Sequence, residues 1–297
     1  MTYRLEITSS TQPQDLIALR RNLAQSNVRR VPALLSLPRG DYGAFIRDAQ
    51  GRIVGGAVGE LDWGWLYVDL LWVAEPYRGR GYGSRLMQAM EYVAYSNGLP
   101  QVYLATTSFQ ALPFYQKLGY DVWAMLDDRP KGYAYYYLRR QHIKHPPLPD
   151  VELVKDPPKA DVKAVRQGLI AYNEQFVHTV PHRIAIFARP PSGQAGDGQI
   201  LAGLYGVVAW DWFDLQYLWV EEALRGHGVA SQMLEMAKAQ AARYGVRRIV
   251  TDTASFQALP FYQRHGFTTF GTLPDRPPGY ISHFLKYDEG EANVRNY

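Results

Sequence analysis

The chain opens with an alternation of apolar and polar positions. YRLEI (3–7) has the period-two spacing of a half-buried strand. PQDLIALRRNLAQ (13–25) then changes to helical spacing behind a Ser/Thr start and an early proline. Strand patterns follow in series: AFIRD (44–48), a turn at AQG, RIVGGAVGE (52–60) and the strongly apolar WLYVDLLWV (65–73). GSRLMQAMEYVAYSNG (83–98) places Leu86, Met90, Val93 and Ala94 on one helical face and stops at Gly98, a residue suited to a helix C-terminus. QVYLATT (101–107) reads as a short strand. SFQALPFYQKLG (108–119) reads as a helix capped by Ser108, with Pro113 distorting its first turn and Gly119 ending it. YDVWAML (120–126) and GYAYYYLRR (132–140) close the series as two more strands. This order predicts an α+β domain around a mixed sheet.

The whole series then recurs. SFQALPFYQ at 108–116 is repeated letter for letter at 255–263, an offset of 147 residues. At the same offset LWVAEPYRGRGYGSRLM faces LWVEEALRGHGVASQML, and DRPKGYAYYYL faces DRPPGYISHFL. The register holds from Trp63 and Trp210 onward and drifts upstream, where the second copy carries a longer Pro/Gly loop, RPPSGQAGDG. A period this long marks a duplicated domain, not a solenoid. The expected division is therefore 1–141, a Pro-rich linker at 142–150 and 151–297, with the two domains packed as an intramolecular pseudo-dimer in a monomer or homodimer.

The 297 residues suit two domains, each able to bury a core. Hydrophobic residues at 47% and charged residues at 20% are ordinary for a soluble protein, and no run approaches a membrane span. No leader pattern opens the chain, so a cytoplasmic protein is expected. There is no cysteine, which excludes disulfides, thiolate metal sites and an acyl-cysteine intermediate. No metal site is expected. A net charge of +4 is too mild to imply a nucleic-acid partner.

The candidate chemistry sits after the apolar strand, at RGRGYG (78–83) and RGHGVA (225–230). A strand that runs through glycines into a helix exposes several N–H groups at the helix N-terminus, where phosphate oxygens are attracted. Small residues at Gly81, Gly83, Gly228 and Ala230 let a ligand approach the main chain. No Gly-Lys-Ser/Thr follows, and Ser84 occupies the place of the third glycine of a dinucleotide fingerprint.

These segments resemble the GNAT superfamily of acyl-CoA-dependent N-acetyltransferases. Its Arg/Gln-x-x-Gly-x-Gly/Ala signature is met by Arg78 to Gly83 and by Arg225 to Ala230. Its second signature, Asn-x-x-Ala-x-x-Phe-Tyr followed by Gly-Phe/Tyr, is met at Ala111, Phe114, Tyr115 and Gly119-Tyr120, and again at Ala258, Phe261, Tyr262 and Gly266-Phe267. Ser108 and Ser255 replace its asparagine. The resemblance spans nearly the whole chain as two tandem GNAT-type domains, each a mixed, mostly antiparallel twisted sheet flanked by helices.

The resemblance implies acetyl-CoA as co-substrate, held in a cleft between splayed strands. It places the pyrophosphate on Gly79, Arg80, Gly81, Tyr82, Gly83 and Ser84 in one half, and on Gly226, His227, Gly228, Val229, Ala230 and Ser231 in the other. The pantetheine arm would bond main-chain groups near Val73 and Val220, and Ser108 and Ser255 would touch the cofactor. An acceptor amine with a pKa near ~10 must lose a proton, usually to a carboxylate or a water held by one. The family's base position falls on Tyr67 in the first half and on Asp214 in the second. Asp69 lies two residues beyond Tyr67 on the same strand face, with Gln216 as its counterpart. Asp69 and Asp214 are thus the candidate bases, and Tyr115 and Tyr262 match the family's tyrosine acid. The expected activity is acetylation of a small-molecule primary amine in a ternary complex. The alternatives are a protein lysine or N-terminal acetyltransferase, and a catalytically silent CoA-binding scaffold. Trp63, Trp65, Trp210, Trp212 and the tyrosines of 133–137 are candidates either for an acceptor pocket or for core strand faces.

Overall fold

The computed structural model describes residues 2–148, 150–193, 196 and 198–290, so part of the Pro/Gly loop lies outside the described residues. The first half contains β1 (Arg4–Thr8), α1 (Pro13–Arg30), β2 (Gly40–Arg47), β3 (Ile53–Asp62), β4 (Trp65–Val73), α2 (Tyr82–Ser96), β5 (Val102–Thr107), α3 (Leu112–Lys117), β6 (Asp121–Leu126) and β7 (Tyr135–Arg140). The second repeats this order as β8 (Glu152–Lys155), α4 (Lys159–Asn173), β9 (His182–Arg189), β10 (Ala202–Ala209), β11 (Trp212–Val220), α5 (Val229–Ala242), β12 (Arg248–Ala254), α6 (Leu259–Arg264), β13 (Thr268–Pro274) and β14 (Ile281–Asp288).

The sheets do not follow the chain halves. One seven-stranded sheet has the order β6-β7-β5-β4-β3-β2-β8, and the other has β13-β14-β12-β11-β10-β9-β1. Each half thus lends its first strand to the other: β1 pairs antiparallel with β9, and β8 pairs antiparallel with β2. The following helices travel with those strands, so α1 packs on β10 and β11 while α4 packs on β3 and β4. The expected division at 142–150 therefore separates two sequence repeats but not two folded units. Sequence periodicity could not reveal this, because an exchanged strand has the same alternation as one that stays at home.

Each sheet is buried on both faces. On one face of the first sheet Leu66, Val68 and Leu104 pack against Leu86, Met90 and Tyr115. On the other, Val165 of α4 packs against Phe45, Val58 and Leu70. Between the two sheets Trp65, Tyr103, Tyr137, Trp212, Leu273 and Phe284 form a shared core. Its indoles are satisfied reciprocally, Trp65 Nε1 donating to Pro274 O and Trp212 Nε1 to Asp128 O. Trp65 and Trp212 are therefore core residues of the contact between halves, not acceptor-pocket residues.

Candidate active site

The site begins with a bulge. In the β3–β4 ladder the register shifts between Val58 and Gly59, leaving Asp69 without an opposite residue. In β10–β11 it shifts between Tyr205 and Gly206, leaving Gln216 in the same position. A bulge bends its strand away from its neighbour. Accordingly β4 pairs in parallel with β5 only at Leu66, Tyr67 and Val68, and β11 pairs with β12 only at Phe213 and Asp214. Beyond those points the strands part. Glycine is required at the bend, since a Cβ on Gly59 would lie 2.4 Å from the Tyr67 carbonyl oxygen, and one on Gly206 would lie 2.3 Å from that of Asp214.

A glycine corner follows each splayed strand. Gly79 and Gly81 have φ of 73° and 80°, and Gly226 and Gly228 have 80° and 79°. This left-handed backbone costs glycine least. Neither Gly81 nor Gly228, the residues that precede α2 and α5, caps its helix with a side chain. A Cβ on any of these four glycines would meet nothing within 4 Å, while one on Gly83 would press on the Phe114 ring at 3.2 Å. The corners are thus open cradles whose first helical N–H groups have no intrahelical acceptor. Arg78 Nε donates to Val73 O at 2.9 Å and Arg225 Nε to Val220 O at 3.0 Å, fixing the corner to the strand end.

The first cleft, about 580 Å³, joins the corner to the splay and runs past Val73, Ser84, Thr106 and Tyr115 to Tyr67 and Asp69. The second, about 480 Å³, runs from Gly228 and Ser231 past Thr253 and Tyr262 to Gln216. Each is closed by the exchanged helix of the other half: Leu169, Tyr172 and Asn173 of α4 line the first cleft, and Leu23, Ser26 and Asn27 of α1 line the second. The repeated nonapeptide holds these helices in place. Gln110 Oε1 accepts from the Thr107 N–H at 3.0 Å while its Nε2 donates to Asn173 Oδ1 at 2.8 Å. Gln257 does the same with Ala254 N at 2.8 Å and Asn27 Oδ1 at 2.9 Å.

Tyr115 and Tyr262 are both buried and both line their clefts. Burial pushes the Tyr115 hydroxyl above the ordinary tyrosine range. It does the same for Tyr262, offset in part by the Thr251 hydroxyl. Thr251 Oγ1 also donates to Leu215 O at 2.8 Å, across the parting strands of the second half. The first half has Leu104 at that position and can make no such bond.

The candidate bases separate. Asp69 lines the first cleft and accepts from Arg166 Nη2 of α4 at 3.1 Å, both side chains half-exposed. Asp214 is not among the lining of the second cleft; it accepts from Arg129 Nη2 at 3.2 Å at the contact between halves. Burial raises its carboxyl above the usual range, and the adjacent Arg129 guanidinium partly offsets this. The carboxylate that does line the second cleft is Asp252, held by Arg276 Nη1 at 3.1 Å.

Other expected residues also differ. Ser108 and Ser255 neither cap helices nor line the clefts. Their hydroxyls accept from Ala134 N and Ile281 N, both at 3.2 Å, because the helices start only at Leu112 and Leu259 with the proline in the first turn. Arg80 and His227 lie outside the cleft linings; Arg80 stands 5.7 Å from the Tyr77 ring centre, and His227 Nδ1 is 2.9 Å from Arg225 O. Tyr82, Val229, Ala230, Val220, Arg78 and Arg225 line the clefts. Residues missed by the sequence reading include Asn27, Asn173, Gln110 and Gln257. The identical glutamines of the repeat were the available signal.

The profile of the Acetyltransferase (GNAT) family matches residues 14–120, and that of the Acetyltransferase (GNAT) domain matches residues 194–269. A blasticidin-S acetyltransferase of Streptomyces morookaense is 37% identical over 122 residues, covering 41% of this chain and 90% of that protein. The acetyltransferase Atu2258 of Agrobacterium fabrum is 37% identical over 112 residues, covering 37% of this chain and 78% of its own length. A crystal structure of an acetyltransferase from Bacillus cereus aligns at a TM-score of 0.42 and 28% identity, over 44% of this chain and 94% of the other. With a glycine corner and a splayed strand pair in each repeat and a family match in each half, this chain belongs to the GNAT acetyltransferase family and is an enzyme of that family built from two such repeats.

Proposed function

We propose that the chain transfers an acetyl group from acetyl-CoA to a primary amine of a small molecule, and that transfer takes place in the first cleft. Family membership implies an acyl-CoA co-substrate, and the open cradle at Gly79 to Ser84 suits a diphosphate. Acetyl-CoA supplies a thioester whose C–S bond breaks as a C–N bond to the amine forms. Asp69 takes up the amine proton, directly or through a water, and the Tyr115 hydroxyl returns one to the departing sulfur. The carrying observation is that Asp69, Tyr115 and the glycine corner share one continuous cleft.

The second cleft has a similar corner but Gln216 where the first has Asp69, and Asp252, its one lining aspartate among the described residues, is tied to Arg276. This favours a second cleft that binds coenzyme without transferring its acyl group. A small acceptor is supported by the enclosure of the first cleft by α4 and Trp210, and by a relative named for acetylation of blasticidin-S. Thiol release measured over polyamines, aminoglycosides, nucleosides, amino acids and peptides tests the reading. Asp69→Asn and Tyr115→Phe should lower kcat by about 100- to 10,000-fold, the usual worth of positioned acid–base groups, and Tyr262→Phe should not. Wild-type rates in both first-cleft variants would remove the proposal.

A further inference from the structure

The splay is a passage through the sheet. On the face carrying α2 and α3 it is lined by Val68, Phe114 and Tyr115, where the glycine corner opens. On the opposite face its mouth is lined by Tyr67, Ala105 and Tyr135, with Asp69 at the bulge. The last wall comes from the other half: Trp210, at φ 54° in the turn between β10 and β11, reaches into the first cleft. Its ring meets Tyr135 edge-on at 6.1 Å and 64°, and Phe109 at 6.3 Å and 74°. Edge-to-face contacts of this kind fix the planes of the rings. Arg129 braces Tyr135 from behind, its guanidinium carbon 4.5 Å from the ring centre.

The second mouth lacks the tyrosine pair and the intruding tryptophan. The counterparts of Tyr67, Ala105 and Tyr135 are Asp214, Asp252 and Ser282. Asp214 is held by Arg129, and Arg276 Nη1 reaches Asp252 and Ser282, both at 3.1 Å. Trp63, the counterpart of Trp210, leans on Phe256 at 5.6 Å and is not among the residues lining the second cleft. Two copies that agree letter for letter at the Tyr-bearing helix therefore disagree at the positions of Tyr67, Asp69, Ala105 and Tyr135, and place their shared tryptophan differently.

We infer that the acceptor of the first cleft carries a planar unsaturated ring beside its primary amine, with the ring lying against Tyr135 and Trp210 while the amine reaches Asp69. This rests on the acetyl transfer proposed above. A saturated ring of the same carbon skeleton can fill the same space but lacks the flat π-face that two fixed aromatic rings favour.

The test compares 2-phenylethylamine with 2-cyclohexylethylamine on the full chain, by calorimetric titration with coenzyme A present and by steady-state thiol release with acetyl-CoA. The phenyl compound should bind about three- to tenfold more tightly, the usual worth of one or two aromatic contacts. Trp210→Leu and Tyr135→Leu should each erase most of that preference with the KM for acetyl-CoA unchanged, while Trp63→Leu keeps it. If Trp210→Leu fails to fold, Trp210→Phe retains a ring and should retain part of the preference, with Tyr135→Leu carrying the loss. Equal binding of the two amines, no binding of either, or a preference that survives Tyr135→Leu and Trp210→Leu would overturn the inference. A phenyl preference in binding without acetylation of any amine would instead count against the proposed function and leave the ring specificity standing.

Discussion

The glycine at the bulge offers a sharp perturbation, because it couples a measurable steric conflict to the opening of the cleft. In Gly59→Ala the new Cβ would stand 2.4 Å from the Tyr67 carbonyl oxygen and 2.9 Å from Met90 Cε. The methionine can turn aside, but the carbonyl belongs to the neighbouring strand, so β3 or β4 must shift. Overpacking of this kind costs about 1–3 kcal/mol. At roughly 2–4 °C per kcal/mol for chains of this size class, the melting temperature should fall by about 2–12 °C. The shift must also move Tyr67 and Asp69, so kcat/KM for the acceptor should fall more than the loss of stability alone would explain at 25 °C. Gly206→Ala provides the matched control, with its Cβ 2.3 Å from the Asp214 carbonyl oxygen and a similar expected loss of stability. Because it bends the strand of the second cleft and reaches the first only through Trp210 and Arg129, it should lower acetyl transfer much less than Gly59→Ala does. Differential scanning calorimetry and thiol-release kinetics on the pair read both effects. Wild-type stability and activity in Gly59→Ala would show that the bulge does not need glycine. Equal loss of activity in the two variants would refute the assignment of transfer to the first cleft.

Three further outcomes follow from the same geometry. Asp214→Asn weakens the bond to buried Arg129 and should cost about 1.5–3 kcal/mol, the range for hydrogen bonds to charged groups, while the KM for acetyl-CoA stays at its wild-type value; a changed KM would return Asp214 to the site. Burial raises the Tyr115 pKa, so the neutral donor form persists above the ordinary tyrosine range, and kcat/KM should climb with pH toward the amine pKa with no Tyr115-dependent fall below about pH 10. A fall between pH 8 and 9.5 that Tyr115→Phe abolishes would contradict this. Cleavage at a protease site inserted in the 142–150 segment should leave two fragments that co-elute in size-exclusion chromatography, since each carries a strand and helix of the other's unit; separate elution would contradict the exchange.

The core of each repeat was legible because it depends on local rules. The apolar run of WLYVDLLWV and the helical face of Leu86 and Met90 act within a few residues, and the observed elements match them. What was not legible depends on which copy a segment joins. β1 and α1 have the pattern expected of the first half but are spent on the second, and nothing in their spacing records the choice. Asp214 shows the same limit in the site. Family position placed it as a base, whereas a salt bridge from Arg129, 85 residues away, holds it at the contact between halves. Ser108 looked like a cap because the helix was expected to start there. Pro113 instead delays the start to Leu112, and the serine hydroxyl ties the loop to Ala134.

The most direct test of the account is a coenzyme titration and rate measurement on Gly81→Asp beside Gly228→Asp. Both positions have φ near 80°, a conformation that aspartate tolerates better than most residues, and both face open space. A carboxylate there would repel a diphosphate. The account predicts that Gly81→Asp raises the Kd for coenzyme A at one of two sites by at least tenfold and nearly abolishes thiol release, while Gly228→Asp weakens the other site and leaves turnover intact. Unchanged coenzyme binding in Gly81→Asp, or turnover lost only in Gly228→Asp, would contradict it.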